Sequence, residues 1–213
     1  VLRFAARFEA IPGANDVSRD PQHFADALAW IMEIEGGYVD DPDDAGGQTK
    51  HGISDAGDGR VDGMADLDGD GAPDVRVIDL TAAHAGVAYR QRYWNPCRCD
   101  ELPRQLAIAT FDGAVNSGPR TAIVLLQQAL RVKADGLIGP RTLVAAHTSQ
   151  SEAVLLDLLG RRALFYHDIT RADSRKVKFL RGWFNRLFRL QRFLLAHPGP
   201  DRPAAANALG RVA

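Results

Sequence analysis

Glu35 closes a run of helical apolar spacing and is followed at once by Gly36 and Gly37, residues that end helices. Phe24, Leu28, Ile31 and Glu35 recur at i, i+4, i+7 and i+11, so a carboxyl group stands on the stripe a helix would bury. A partly apolar site and the negative end of a helix both disfavour a charged carboxylate, so the spacing predicts a raised pKa for Glu35. An acid that keeps its proton near neutral pH can donate it. Asp44 follows nine residues later and Thr49 five beyond that, both in a glycine-bracketed loop too polar for a core.

The elements around this run are predicted as follows. Asp20 is placed to cap, and Pro21 to begin, a helix that ends at Glu35. Residues 54–76 are dense in Asp and Gly and read as a loop or short hairpin. Helical character returns after Leu80 with Thr81 as the cap, puts Ala85, Ala88 and Tyr89 on one face and ends near Tyr93 and Trp94. From Gln105 the pattern is mostly helical, broken by tight turns at Asp135–Gly136 and Gly139–Pro140. The tail after His197 is rich in Pro, Ala and Gly and is expected to be disordered.

The run from Ile34 to Ile53, IEGGYVDDPDDAGGQTKHGI, resembles the signature of glycoside hydrolase family 108, the bacterial and phage N-acetylmuramidases. Three later blocks, FDGAVNSGPRTA, QQALRVKADGLIGPRTL and FLRGWFNRL, resemble the peptidoglycan-binding region that accompanies it, so the likeness covers roughly residues 24–193. The resemblance implies a mainly α, lysozyme-like two-lobed fold, with a small irregular or β-hairpin lobe near residues 37–80 and Glu35 at the floor of the cleft. It implies Glu35 as general acid, with Asp44 and Thr49 placing a water or stabilising the sugar cation. Tyr38, His51, Tyr93, Trp94 and Asn116 are the substrate-binding candidates. Tyr93 and Trp94 could stack on a sugar and Asn116 could bond an N-acetyl group; alternatively Trp94 is core and Asn116 shapes a turn beside Ser117 and Gly118. The expected divisions are residues 1–20, a catalytic lobe at 21–110, a helical wall-binding region at 111–197 and a tail at 198–213.

The acidic stretch between Ile53 and Val77 is the departure from the short form of that signature. Within it Asp66, Asp68, Asp70 and Asp74 take the first, third, fifth and ninth places of an EF-hand-type loop, and Gly71 falls where the sharp turn needs glycine. Carboxylates this close repel one another without a cation, and an all-oxygen set favours calcium over zinc or copper. Val77 stands where a bidentate Glu is usual, and Asp79 is the carboxylate near enough to replace it.

With 213 residues, 46% hydrophobic and 25% charged, the chain has the composition of a soluble globular protein and can bury a sizeable core. No apolar run reaches the length of a membrane span, and the start does not read as a secretory signal because Arg3, Arg7 and Glu9 interrupt it. Cys97 and Cys99 lie too close for an ordinary bridge and read as free thiols in a turn, which fits a reducing compartment. The net charge of −1 hides a division: residues 1–100 hold 9 Lys and Arg against 19 Asp and Glu, and the rest hold 17 against 8. Eight basic residues lie between Arg171 and Arg192 with one acid, Asp173. In the last helix Trp183, Leu187, Leu190 and Leu194 form an apolar stripe flanked by Arg186, Arg189 and Arg192. That helix reads as core, with contact to anionic lipid or lipopolysaccharide as the alternative.

Three functions compete on this reading: a muramidase cutting the β-1,4 bond between N-acetylmuramic acid and N-acetylglucosamine, a lytic transglycosylase on the same bond, and a non-catalytic wall-binding protein. Asp44 and Thr49 favour hydrolysis, because they could manage a water. Bacterial peptidoglycan is then the partner, with no nucleic acid, and a monomer is expected. A phage endolysin, made in the host cytoplasm and released to act on the wall, is the expected setting.

Overall fold

The computed structural model describes residues 21–35, 38–39, 47–55 and 61–197. Asp20 as a cap, Asp44 and both chain ends lie outside the described residues, and of Tyr38 only the backbone is described.

The architecture is mainly α, as expected, with seven α-helices and two small antiparallel sheets among the described residues. Helix α1 (Pro21–Glu35) turns Phe24, Leu28 and Ile31 inward, as their spacing requires. The two-residue strands β1 (Tyr38–Val39), β2 (Thr49–Lys50) and β3 (Ile53–Ser54) follow, pairing Val39 with Thr49 and Lys50 with Ile53. His51 and Gly52 join β2 to β3 with positive φ angles of 53° and 75°, the two-residue turn whose twist suits a hairpin.

The acidic insert is a second hairpin, β4 (Met64–Ala65) and β5 (Val75–Arg76), with the Asp-rich stretch at its tip. Val77, fully buried, anchors its base in the core. Lys50 Nζ reaches the Ile78 carbonyl at 2.6 Å and ties the first hairpin to the second.

Helix α2 (Ala82–Tyr89) starts at the expected Thr81, whose hydroxyl accepts from the His84 backbone N–H while the His84 ring bonds the Thr81 N–H. It runs into a single π-helical turn, Arg90–Trp94, a widening of the ladder that often marks functional sites. Helix α3 (Arg104–Ser117) is the central element: Leu106 to Ala114 are buried without a break, and α1, α4 (Pro119–Ala129) and α6 (Ser151–Ala172) pack around it. A helix buried all round is apolar all round, which makes Asp112 in the same stretch conspicuous.

Gly118, at φ 84°, ends α3 where Pro119 can begin α4. Before α5 (Pro140–Thr148), the side-chain oxygen of buried Gln127 accepts from the Gly136 backbone N–H at 2.8 Å, fixing the turn. Helix α7 (Val177–Ala196) lies along α6 and seats Leu187, Leu190 and Leu194 in the core. None of the described helices is long and apolar enough to cross a membrane. Cys97 and Cys99 are free and buried, and burial pushes the Cys99 thiol up, away from the reactive thiolate.

Candidate active site

Glu35 is the last residue of α1, and its side chain keeps 27% exposure. The turn of the first hairpin lies directly on it: a Cβ added at Gly52 would stand 3.1 Å from the Glu35 Cβ and would collide with the Tyr89 hydroxyl. Glycine is therefore required there both for φ and for the close approach. From α2, Tyr89 donates its hydroxyl to the His51 carbonyl at 3.0 Å and pins the turn. Burial pushes the Tyr89 phenol far up, nearby Glu35 and Tyr93 add to the effect and Arg186 opposes it, so Tyr89 stays a donor at any working pH.

Behind Glu35 stands a guanidinium. Arg186 of α7 donates from Nη1 to Glu35 Oε1 at 2.5 Å and from Nε to Asp112 Oδ1 at 2.9 Å. Asp112, fully buried, also accepts from Trp30 Nε1 at 2.9 Å and from Arg162 Nη2 at 2.8 Å. Burial alone would push the Asp112 carboxyl up, but Arg162 and Arg186 more than offset it and hold it below the usual range. The chain of bonds continues from Arg162 to the Tyr166 hydroxyl at 2.9 Å, which accepts from Asn116 Nδ2 at 3.0 Å.

Gly52, which lies against Glu35, and Tyr89 form one wall of a cavity of about 200 Å³ shared with Ile53, Ser54, Ala88, Arg92 and Tyr93. The ring of His51 borders the same hairpin; burial, then Lys50, lowers its pKa, so it is neutral near neutral pH.

Residues 28–118 match the model of the family described as Glycosyl hydrolase 108, and residues 121–188 match that of a predicted peptidoglycan domain. The solved structure of SagA from Brucella abortus is similar at 32% identity and a TM-score of 0.66, covering 87% of this chain and 99% of that one. The chain belongs to glycoside hydrolase family 108. No curated protein matches it. Membership makes the protein a glycoside hydrolase, and the peptidoglycan domain beside it makes the polymer of the cell wall its substrate.

Within this family-108 chain, the turn of His51 and Gly52 lies on Glu35, and Gly52 and Tyr93 line one cavity. Thr49, half-buried in β2, pairs with Ser54 across the hairpin. Trp94 does not join them: it is fully buried, edge-on to Phe24 at 5.1 Å and Phe111 at 5.3 Å, and donates to Asp100. Its face is spent on the core, so the sugar-stacking alternative is corrected. Asn116 is half-buried at the far end of the bond chain from Arg186.

Two surroundings also differ from expectation. Glu35 sits against a guanidinium rather than in a merely apolar site, and Arg186, 11% exposed, points inward rather than joining a positive outer face. The signal for the second was present: Trp183, Arg186, Leu190 and Leu194 share one helical stripe. Tyr89, Asp112 and Arg162 were missed as well; an Asp inside the apolar run of α3 was the clue.

At the tip of the second hairpin, carboxylate oxygens of Asp66, Asp68 and Asp74 lie within 4.8 Å of one another. Asp66 is buried and accepts from the backbone N–H of Gly69 at 2.6 Å and Gly71 at 3.0 Å. Asp70 and Asp79 stand outside this group: Asp70 accepts from the Ala72 N–H, and Asp79 pairs with Arg76 at 2.6 Å. The core role of Val77 explains why no Glu occupies that place.

Proposed function

We propose that the chain is an N-acetylmuramidase that hydrolyses the β-1,4 bond between N-acetylmuramic acid and N-acetylglucosamine, with Glu35 protonating the leaving oxygen. The observation that carries this reading is the placement of Glu35: a partly exposed carboxyl fixed between Arg186 and the turn of Gly52, which itself lines a cavity with Tyr89, Arg92 and Tyr93. Asp44 and Thr49 are assigned to the water or the sugar cation, and Tyr38, His51, Tyr93 and Asn116 to the substrate. Mass spectrometry of digested sacculi tests the reaction. Reducing ends are expected; anhydro ends would make the enzyme a lytic transglycosylase. The Glu35→Gln variant should fold normally and lose activity by about 100-fold to 10,000-fold, the usual worth of a general acid. Wild-type lysis by that variant removes Glu35 from the chemistry.

Two accessory contacts belong to the same reading. The triad Asp66, Asp68 and Asp74 is assigned to a structural calcium ion, because three convergent carboxylates are a hard-oxygen set. The outer side of α7 carries exposed Lys178, Arg181 and Arg192 with Phe188 and Leu195, and contains no acidic residue. It is assigned to the phosphate-bearing surface of anionic lipid or lipopolysaccharide. A K178Q/R181Q/R192Q variant should lose several-fold activity on whole cells and none on purified sacculi; equal losses on both would exclude the membrane contact.

A further inference from the structure

Arg186 bridges two carboxylates that belong to different helices. It arrives from α7, 151 residues along the chain from Glu35, and spends two of its three nitrogens on two different carboxylates. The third, Nη2, is buried with no hydrogen-bond partner among the described residues. A buried donor left unpaired is costly, and a buried ion pair adds less to stability than apolar packing of the same volume. Structural need alone therefore explains Arg186 poorly. Its position explains it better. Asp112, held by Trp30 and Arg162 from two other helices, fixes the Nε edge of the guanidinium. The plane of the fork then dictates where Nη1 lies, and with it Glu35 Oε1.

We infer that Arg186 is the positioning residue of the catalytic carboxyl. It holds Glu35 through Oε1 and leaves Oε2 as the oxygen that carries the proton and delivers it to the glycosidic oxygen. Asp112 acts one step further back, as the fixed support of Arg186. The inference rests on the reading of Glu35 as general acid. The rigid path extends through Arg162 and Tyr166 to Asn116, so the acid and a substrate-binding candidate share one frame.

Arg189 supplies the control. It is close by on α7 and makes another ion pair to α1, to exposed Glu33 at 2.8 Å, without touching Glu35. Steady-state kinetics on soluble peptidoglycan fragments, with thermal melts, are measured for Glu35→Gln, Arg186→Gln, Arg186→Lys and Arg189→Gln. Misplacing a reacting group by about 1 Å costs on the order of 100-fold. Folded Arg186→Gln should therefore lose about that much in kcat while KM changes less than about threefold. Arg186→Lys keeps the charge but not the fork and should recover about tenfold of that loss. Arg189→Gln should keep wild-type kcat. If Arg186→Gln does not fold, a full wild-type kcat for Arg186→Lys overturns the inference. So does a folded Arg186→Gln with unchanged kcat, or an equal loss in Arg189→Gln. Activity in Glu35→Gln overturns the general-acid reading and the inference together, whereas an inactive Glu35→Gln beside a fully active Arg186→Gln overturns the inference alone.

Discussion

The most demanding residue in the site carries no side chain. Gly52 meets Glu35 and Tyr89 at once, at a φ of 75°. An L-residue there costs about 1–2 kcal/mol in backbone conformation alone. Its Cβ would also displace the Tyr89 hydroxyl that bonds the His51 carbonyl. Gly52→Ala should therefore destabilise the fold by about 1–3 kcal/mol in urea unfolding, the range for a strained position at a functional site. Activity should fall by more than the unfolded fraction explains, since the hairpin must shift away from Glu35. An unchanged melt and unchanged turnover would show that the turn does not set the site. The place of Glu35 at the end of α1 was legible because its helix stripe and the two glycines after it are local. The inward turn of Arg186 was written in its stripe, but its pairing with Glu35 was not, since the two lie far apart in the chain and only the packing of α7 against α1 and α3 reveals it. Trp94 shows the opposite failure: an aromatic next to a site-like segment reads equally well as sugar platform or core, and only burial decides.

At the scale of elements, the helices followed their apolar spacing and their punctuation, from the Thr81 cap to the Gly118 and Pro119 break. The small hairpins were expected as a lobe but not strand by strand, because two-residue strands carry too little alternation to be read. Their register is visible only in pairs such as Met64 with Arg76. The second hairpin makes a prediction of its own. Its tip gathers Asp66, Asp68 and Asp74 and is held by Arg92 donating to the Asp66 carbonyl, and its base is held by Val77 in the core. A bound ion at the tip stabilises the folded state by mass action, by about 2.7 kcal/mol at a hundredfold excess over Kd. The thermal midpoint should rise with calcium and fall with chelator, and an Asp66→Asn/Asp68→Asn variant should lose that response. Because Lys50 links the two hairpins through the Ile78 carbonyl, lytic activity should fall in parallel with chelation. Calorimetry without calcium binding at millimolar concentration, together with a melt indifferent to chelator, would remove the ion from the account.

Across the whole molecule, the two matched regions are joined by charge as well as by packing. Asp112 on α3 takes bonds from Trp30 on α1, Arg162 on α6 and Arg186 on α7, so one buried carboxylate ties four helices. Removing one partner of a buried ion pair strands the other and costs about 3–5 kcal/mol. The same group makes stability depend on pH. Burial works against the charged form, but Arg162 and Arg186 prevail, so the folded-state pKa of Asp112 lies below its unfolded value. A carboxylate shifted in that direction contributes its full stabilisation above the unfolded pKa of about 4. The contribution declines as pH falls through that value and is gone below the folded pKa, because the unfolded chain takes up the proton first. Urea unfolding followed from pH 7 down to pH 2 should therefore show a loss of stability beginning near pH 5. In Asp112→Asn the overall stability should be lower at pH 7, and the acid-dependent slope correspondingly shallower, because the titrating group is gone. An Asp112→Asn variant that keeps the full wild-type slope would place the acid sensitivity in other carboxylates held below their usual range, such as Asp66, Asp135 or Asp173.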